Sequence, residues 1–115
     1  MNNNSNNQKL VNGMTLIGKQ VLYEFTQKHS DASRWIGNWV AEVEGSVWRT
    51  PQDIKKKYSS ASFLEKNIVI FNVKGNNYRL ETQLYYKISI VEALWAGTHE
   101  EYNRRNKTRK GGVIK

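Results

Sequence analysis

Residues 68–86 read Ile-Val-Ile-Phe-Asn-Val-Lys-Gly-Asn-Asn-Tyr-Arg-Leu-Glu-Thr-Gln-Leu-Tyr-Tyr. Two runs rich in β-branched and aromatic residues, Ile68 to Val73 and Tyr78 to Tyr86, flank Lys74, Gly75, Asn76 and Asn77. Runs of this kind suit a pleated, half-buried surface, and Gly and Asn tolerate the positive φ angles of a tight reversal. The stretch therefore predicts a β-hairpin. A third run of the same character, Ile88 to Leu94, extends it to an antiparallel meander of three strands.

Upstream of the hairpin the apolar period is helical. Folding is expected to begin at Met14, with Thr15, Leu16 and Ile17 as a short edge strand. A helix from about Lys19 to Lys28 follows, with Val21, Leu22 and Phe25 on one side. Trp35, Ile36, Trp39, Val40, Val43 and Val47 recur at helical steps and predict an amphipathic helix, with Ser30 as its N-cap. An aromatic stripe at this spacing reads as core rather than as a base-stacking platform. Thr50, Pro51 and Asp53 form a capping box with Pro at the first helical position, opening a short turn that carries Lys55, Lys56 and Lys57. Thr98 and Glu101 form a second box, so His99 starts a last short helix that fades into a basic tail. The sum is an α+β domain: N-terminal helices packed on one face of a small, mainly antiparallel sheet, with a short C-terminal helix.

A chain of 115 residues has material for one modest core. The Asn-rich stretch Met1 to Gly13 lacks apolar anchors and is expected to be a disordered leader, 14–105 the folded domain and 106–115 a basic tail. With no cysteine and only His29 and His99 as imidazoles, neither disulfides nor a zinc site is expected, and no cofactor is called for. No run approaches the ~20 apolar residues of a membrane span, and no signal peptide is evident, so the expected location is the cytoplasm. The net charge of +8 favours a polyanionic partner. It is unevenly placed. Six of the 18 basic residues follow Glu101 with no acid among them, which leaves only +2 for residues 1–102.

Along the middle strand Tyr78, Leu80, Leu84 and Tyr86 alternate with Arg79, Glu81, Gln83 and Tyr85. If the apolar set meets the helices, Arg79 is displayed on the opposite, open face, just after a turn that brings Lys74 near. His99 and Tyr102, three apart, share one side of the last helix, which can approach that face. A guanidinium, an imidazole and a phenol gathered there suit metal-free cleavage of RNA by its own 2′-hydroxyl. Arg79 would stabilise the phosphorane charge, His99 would move a proton, and Tyr102 would stack on a base or orient an oxygen. A metal nuclease is disfavoured, because Glu81 and Glu92 fall on different strands with no acidic cluster nearby.

The run from Ile68 through Tyr78-Arg79-Leu80, followed by Gly97-Thr98-His99-Glu100-Glu101-Tyr102-Asn103-Arg104, resembles the signature of HigB-type toxins of the RelE superfamily. Trp48 to Tyr58, Glu24-Phe25 and His29 to Ala32 resemble the same family, so the likeness runs from about Met14 to Arg105. It implies a RelE-like fold and an endoribonuclease that cuts mRNA, commonly on the translating ribosome. It also implies a HigA-type antitoxin with a helix-turn-helix domain as partner. Arg79 matches the strand arginine, and His99 and Tyr102 match the Thr-His-x-x-Tyr motif. Lys55, Lys56 and Lys57 occupy a region where such toxins place RNA-gripping residues, and Lys74, Arg104 and Arg105 are read with them as RNA-binding. Relatives often carry Arg or Lys on the last strand where this chain has Ala93, Leu94 and Trp95, which leaves His99 or Arg104 to protonate the leaving group. The rivals from other classes are a non-catalytic RNA- or ribosome-binding module of the same fold, and a protein-interaction module whose open face docks a partner chain.

Overall fold

The computed structural model describes residues 13–114, with side chains as far as Thr108, so the expected leader lies outside the described residues except for Gly13. In chain order the elements are β1 (Thr15–Ile17), α1 (Lys19–Lys28), α2 (Ser33–Gly45), α3 (Pro51–Lys55), β2 (Ser62–Leu64), β3 (Ile68–Val73), β4 (Tyr78–Tyr85), β5 (Ile90–Thr98) and α4 (His99–Ile114). They form an α+β domain around one sheet of order β1-β5-β4-β3-β2, in which β1 runs parallel to β5 and the other pairs are antiparallel. None of the described helices is long and apolar enough to cross a membrane.

Alternation decides which face of the sheet is covered. Leu80, Thr82 and Leu84 of β4 are almost inaccessible and join Val69, Phe71 and Val73 of β3 in a core that also takes Leu22 and Phe25 of α1, Ile36, Trp39 and Val43 of α2 and Ile54 of α3. Trp39 meets Phe71 edge-on at 5.4 Å, which joins the helical layer to the centre of the sheet. The buried Thr82 hydroxyl donates to the Val69 carbonyl at 2.9 Å, so a polar side chain is accommodated without an orphaned group. Arg79, Glu81, Gln83 and Tyr85 take the opposite face, and α4 lies on that side against β4 and β5. The helical backbone of α4 continues past Arg105 to Ile114.

The hairpin, both capping boxes, the edge strand β1 and helix α1 are formed where the sequence predicts them. Several details differ. Ser30 does not cap α2: Ser30–Ala32 form a 3-10 turn running straight into the helix, and the preceding residue, Ala32, is buried in right-handed helical geometry, without the extended backbone of a capping position. Helix α2 stops at Gly45 and Ser46 is extended, which leaves Val47 outside the helical stripe and 44% exposed. Tyr86 and Ile88 lie in a 3-10 turn closed by Ser89 at φ 57°, so β5 begins at Ile90 and runs four residues past Leu94. In the hairpin the positive φ angles fall on Lys74 and Gly75 rather than on an Asn. The short strand β2, unread in the sequence, pairs with β3 through a turn in which Lys66 and Asn67 both take positive φ.

Candidate functional site

The site is built where β4, β5 and the start of α4 meet. Directly across from β4, Arg79 pairs with Gly97 and Glu81 with Trp95, and direct cross-strand partners share a face. The next pair is Thr82 with Ala93, so Leu94 is an extra residue on β5. This bulge reverses the alternation of the strand. Trp95 and Gly97 therefore stand on the same face as Glu92, beside Arg79 and Glu81, and not in the core.

Arg79 is partly buried and folded back onto its own hairpin. Its Nη2 donates to Asn76 Oδ1 at 2.8 Å, and its Nη1 donates to the Tyr78 carbonyl at 3.1 Å and the Asn76 carbonyl at 3.4 Å. Burial lowers its pKa from the ordinary value, and the nearby Tyr102 phenol acts in the other direction. A guanidinium titrates so far above neutrality that it stays charged.

Helix α4 is delivered to this point by its cap. Glu101 N–H donates to Thr98 Oγ1 at 3.0 Å, Thr98 N–H donates to Glu101 Oε1 at 2.9 Å, and the His99 N–H donates to the Asn77 carbonyl at 3.0 Å. The last bond ties the helix start to the Arg79 hairpin. The Thr98 amide holds the Glu101 carboxyl below the usual range, with smaller contributions from the Thr98 hydroxyl and from the nearby His29 and Lys28 side chains. One turn on, the Tyr102 ring lies 6.2 Å from that of Trp95, and the Arg105 guanidinium sits 5.1 Å over the same indole. Arg105 Nε is 3.0 Å from Glu81 Oε1, and the Glu81 side chain is only 4% exposed.

The expected site residues thus divide. Arg79, Tyr102 and Arg105 meet on one face, and His99 starts the helix that brings the last two there. Arg105 has its charge matched within the fold. Lys74 adjoins the same hairpin and pairs with Asp31 at 3.6 Å, the carboxylate that also accepts the Tyr78 hydroxyl at 2.7 Å. That hydroxyl, followed by the Lys74 charge, lowers the Asp31 pKa, while Asp31 pushes the Tyr78 hydroxyl up. Arg104 is exposed on α4. Lys55, Lys56 and Lys57 belong to α3 and its following turn. Lys55 lies 5.7 Å over the Phe63 ring and Lys57 pairs with Glu42 of α2 at 3.8 Å, both on the helical side of the sheet.

Trp95, Glu81 and Asn76 complete the arrangement and are not legible in the pattern. By simple alternation from Ala93, and without the bulge, Trp95 would face the core. A cleft of about 460 Å³ adjoins the site between α1 and the outer edge of β5, which β1 covers only opposite Ile90 to Glu92. Lys28, His29, Trp95, Gly97 and Glu101 contribute to its walls. The His29 ring is held there against Tyr78 at 4.8 Å and Phe25 at 5.2 Å.

The family model for HigB toxins, described as the RelE-like toxic component of a toxin-antitoxin system, matches residues 32–105. The matched span takes in α2, the whole meander and the start of α4, and with them every expected site residue. A search among curated proteins gives no match.

Proposed function

Because the chain belongs to the HigB toxin family, the RelE-like toxic components of toxin-antitoxin systems, we propose that it is an endoribonuclease that cuts messenger RNA in the cytoplasm and so stops translation. The observation that carries this reading is the display of Arg79 on the face of the sheet away from the helical core, with Tyr102 and the start of α4 beside it. The attacking group is the ribose 2′-hydroxyl, which adds to the adjacent phosphorus and displaces the 5′-oxygen of the next nucleotide, leaving a 2′,3′-cyclic phosphate and a 5′-hydroxyl. No water, metal or cofactor is consumed in that step.

Arg79 neutralises the charge that grows on the equatorial phosphate oxygens, and Asn76 and the Tyr78 carbonyl pre-orient its fork, so little reorganisation is needed at the moment of reaction. His99 is suited to proton transfer, since imidazole can be acid or base near neutral pH. Tyr102 orients the attacking or leaving oxygen or stacks on a neighbouring base. Because Ala93, Leu94 and Trp95 fill the span of the last strand where the family resemblance leads one to expect Arg or Lys, protonation of the leaving oxygen falls to His99 or Arg104. Lys74 and Arg104, with Lys55 to Lys57 farther away, supply the cationic surface for the RNA backbone. The counterpart that silences the toxin is a HigA-type helix-turn-helix antitoxin, and the setting for cleavage is the translating ribosome.

The test is to add purified protein to translating ribosomes and map the new 5′ ends on the message. Discrete ends bearing 5′-hydroxyls, absent with Arg79→Ala, are the expected result. Arrest of translation without new ends would instead identify a non-catalytic ribosome-binding module.

A further inference from the structure

Glu81 is a carboxylate in the central part of the sheet, 3% exposed, on a strand whose other face is core. A charge so placed is kept only where a partner offsets its lost hydration. Such a partner comes from α4: Arg105 Nε lies 3.0 Å from Glu81 Oε1, and the same guanidinium covers the indole of Trp95, the cross-strand neighbour of Glu81. Tyr102, three residues before Arg105 and thus on the same side of the helix, meets that indole from the adjacent turn. Between His99 and Thr108 the sequence of α4 is His-Glu-Glu-Tyr-Asn-Arg-Arg-Asn-Lys-Thr, in which Tyr102 is the one large apolar body. A helix without an apolar stripe cannot be seated by the hydrophobic effect alone. Tyr102 and Arg105 reach the same Trp, Arg105 also reaches the buried carboxylate, and Glu81 is two residues along β4 from Arg79 on the same face.

We propose that Glu81 is a positioning residue: through Arg105 it seats α4 across the open face and thereby sets Tyr102 against Arg79. This rests on the nuclease reading for its catalytic consequence but not for the seating of the helix. It changes the part given to Arg105, whose guanidinium holds the helix in place and does not grip RNA.

The test uses the full chain with Glu81→Gln, Arg105→Ala, the double variant, Arg105→Lys and, as a reference, Arg79→Ala. Amide hydrogen exchange over 102–108 reads the seating of α4. Single-turnover cleavage on programmed ribosomes, followed against toxin concentration, gives the maximal rate and the half-saturating concentration. Glu81→Gln and Arg105→Ala should each speed exchange in α4 at least 10-fold while β4 exchange stays as in wild type. Each should lower the maximal rate about 10-fold or more with the half-saturating concentration changed less than 3-fold. The losses in the double variant should fall well short of the sum of the two single ones, as expected of residues that share a contact. Arg105→Lys, which keeps a charge on a similar stem, should recover part of both losses, and Arg79→Ala should lose cleavage with α4 exchange unchanged.

Binding of a 2′-O-methylated RNA that cannot be cut supplies the opposing outcome. If Arg105→Ala weakens that binding 10-fold and Glu81→Gln does not, Arg105 is an RNA ligand and the proposal fails. Unchanged α4 exchange in both single variants overturns it as well. A wild-type protein that cuts no RNA sinks the nuclease reading, and the exchange measurements still decide whether Glu81 seats the helix.

Discussion

Gly97 lies directly across from Arg79 in the β4–β5 ladder, and the volume that a side chain would occupy there is already filled by Trp95 and Glu101. A Cβ built on Gly97 would stand 2.6 Å from Glu101 Oε1 and 2.7 Å and 2.8 Å from two carbons of the Trp95 ring. Neither neighbour can give way freely. The carboxylate is engaged by the Thr98 amide and the indole lies against Arg105 and Tyr102.

Gly97→Ala should therefore destabilise the domain by about 1–3 kcal/mol, the usual cost of overfilling a packed site. It should also disturb cleavage, because the atoms displaced are those that place α4. Urea denaturation together with the ribosome assay checks both halves. A variant as stable and as active as wild type would show that Trp95 and Glu101 are mobile enough to accept a methyl group.

These strands were readable because their residues carry the signal themselves: Ile68 to Val73 is rich in β-branched residues, Tyr78 to Tyr85 alternates apolar or aromatic with polar positions, and Gly75 marks the turn between them. The caps at Thr50 and Thr98 were readable because each needs only a hydroxyl and an acid three residues apart. The bulge at Leu94 was not. It comes from the register of two strands, a property of the pair, and it alone puts Trp95 beside Glu81. Without it the seating of α4 could not be foreseen, and Arg105 reads as one more basic residue. Strand β2 escaped for a related reason, since its turn uses positive φ at Lys66 and Asn67 with no glycine to announce it.

The Glu101 carboxyl gives a pH signature. Its folded pKa lies below the ordinary 4.5, chiefly because the Thr98 amide donates to it. A group shifted down on folding contributes stability above its unfolded pKa and loses it as pH falls through the folded one. Glu101→Gln can still accept from Thr98 but carries no charge. The variant should melt below wild type at pH 7, and the gap should close between about pH 5 and pH 3. Asp31 and Asp53, whose pKa values are also lowered, are common to both proteins and cancel in the difference. A gap of constant size across this range would mean that the charge of Glu101 is immaterial.

Trp39 offers a test of the core. It projects from α2 onto Phe71 and is fully buried, yet its indole Nε1 finds no hydrogen-bond partner among the described residues. A buried donor left unpaired costs roughly 1–3 kcal/mol. Trp39→Phe removes that donor along with part of the ring, so the two effects oppose each other and the net loss should stay within about 1.5 kcal/mol. Trp39→Ala opens the whole cavity and should cost about 3–5 kcal/mol. Chemical denaturation of the two variants checks the contrast, which disappears if the Phe variant is as damaged as the Ala variant.

Arg79 separates function from folding. From alternation alone its truncation should cost no more than ~0.5 kcal/mol, since an outward side chain on β4 removes no apolar packing. The three hydrogen bonds from its guanidinium to Asn76 and the Tyr78 carbonyl raise that expectation to about 1 kcal/mol, because they brace the hairpin. Cleavage should fall much further, roughly 100-fold or more, the scale seen when one preorganised transition-state donor is deleted. Arg79→Lys should rescue only in part, as an ammonium restores charge but cannot hold Asn76 and two phosphate oxygens with one planar fork. Cells should survive induction of Arg79→Ala without antitoxin, while the purified variant still folds and still binds antitoxin. Should Arg79→Ala melt within a few degrees of wild type and cut at the wild-type rate, the open face is not the site of chemistry. The His29 cleft behind Gly97 is then the next place to look.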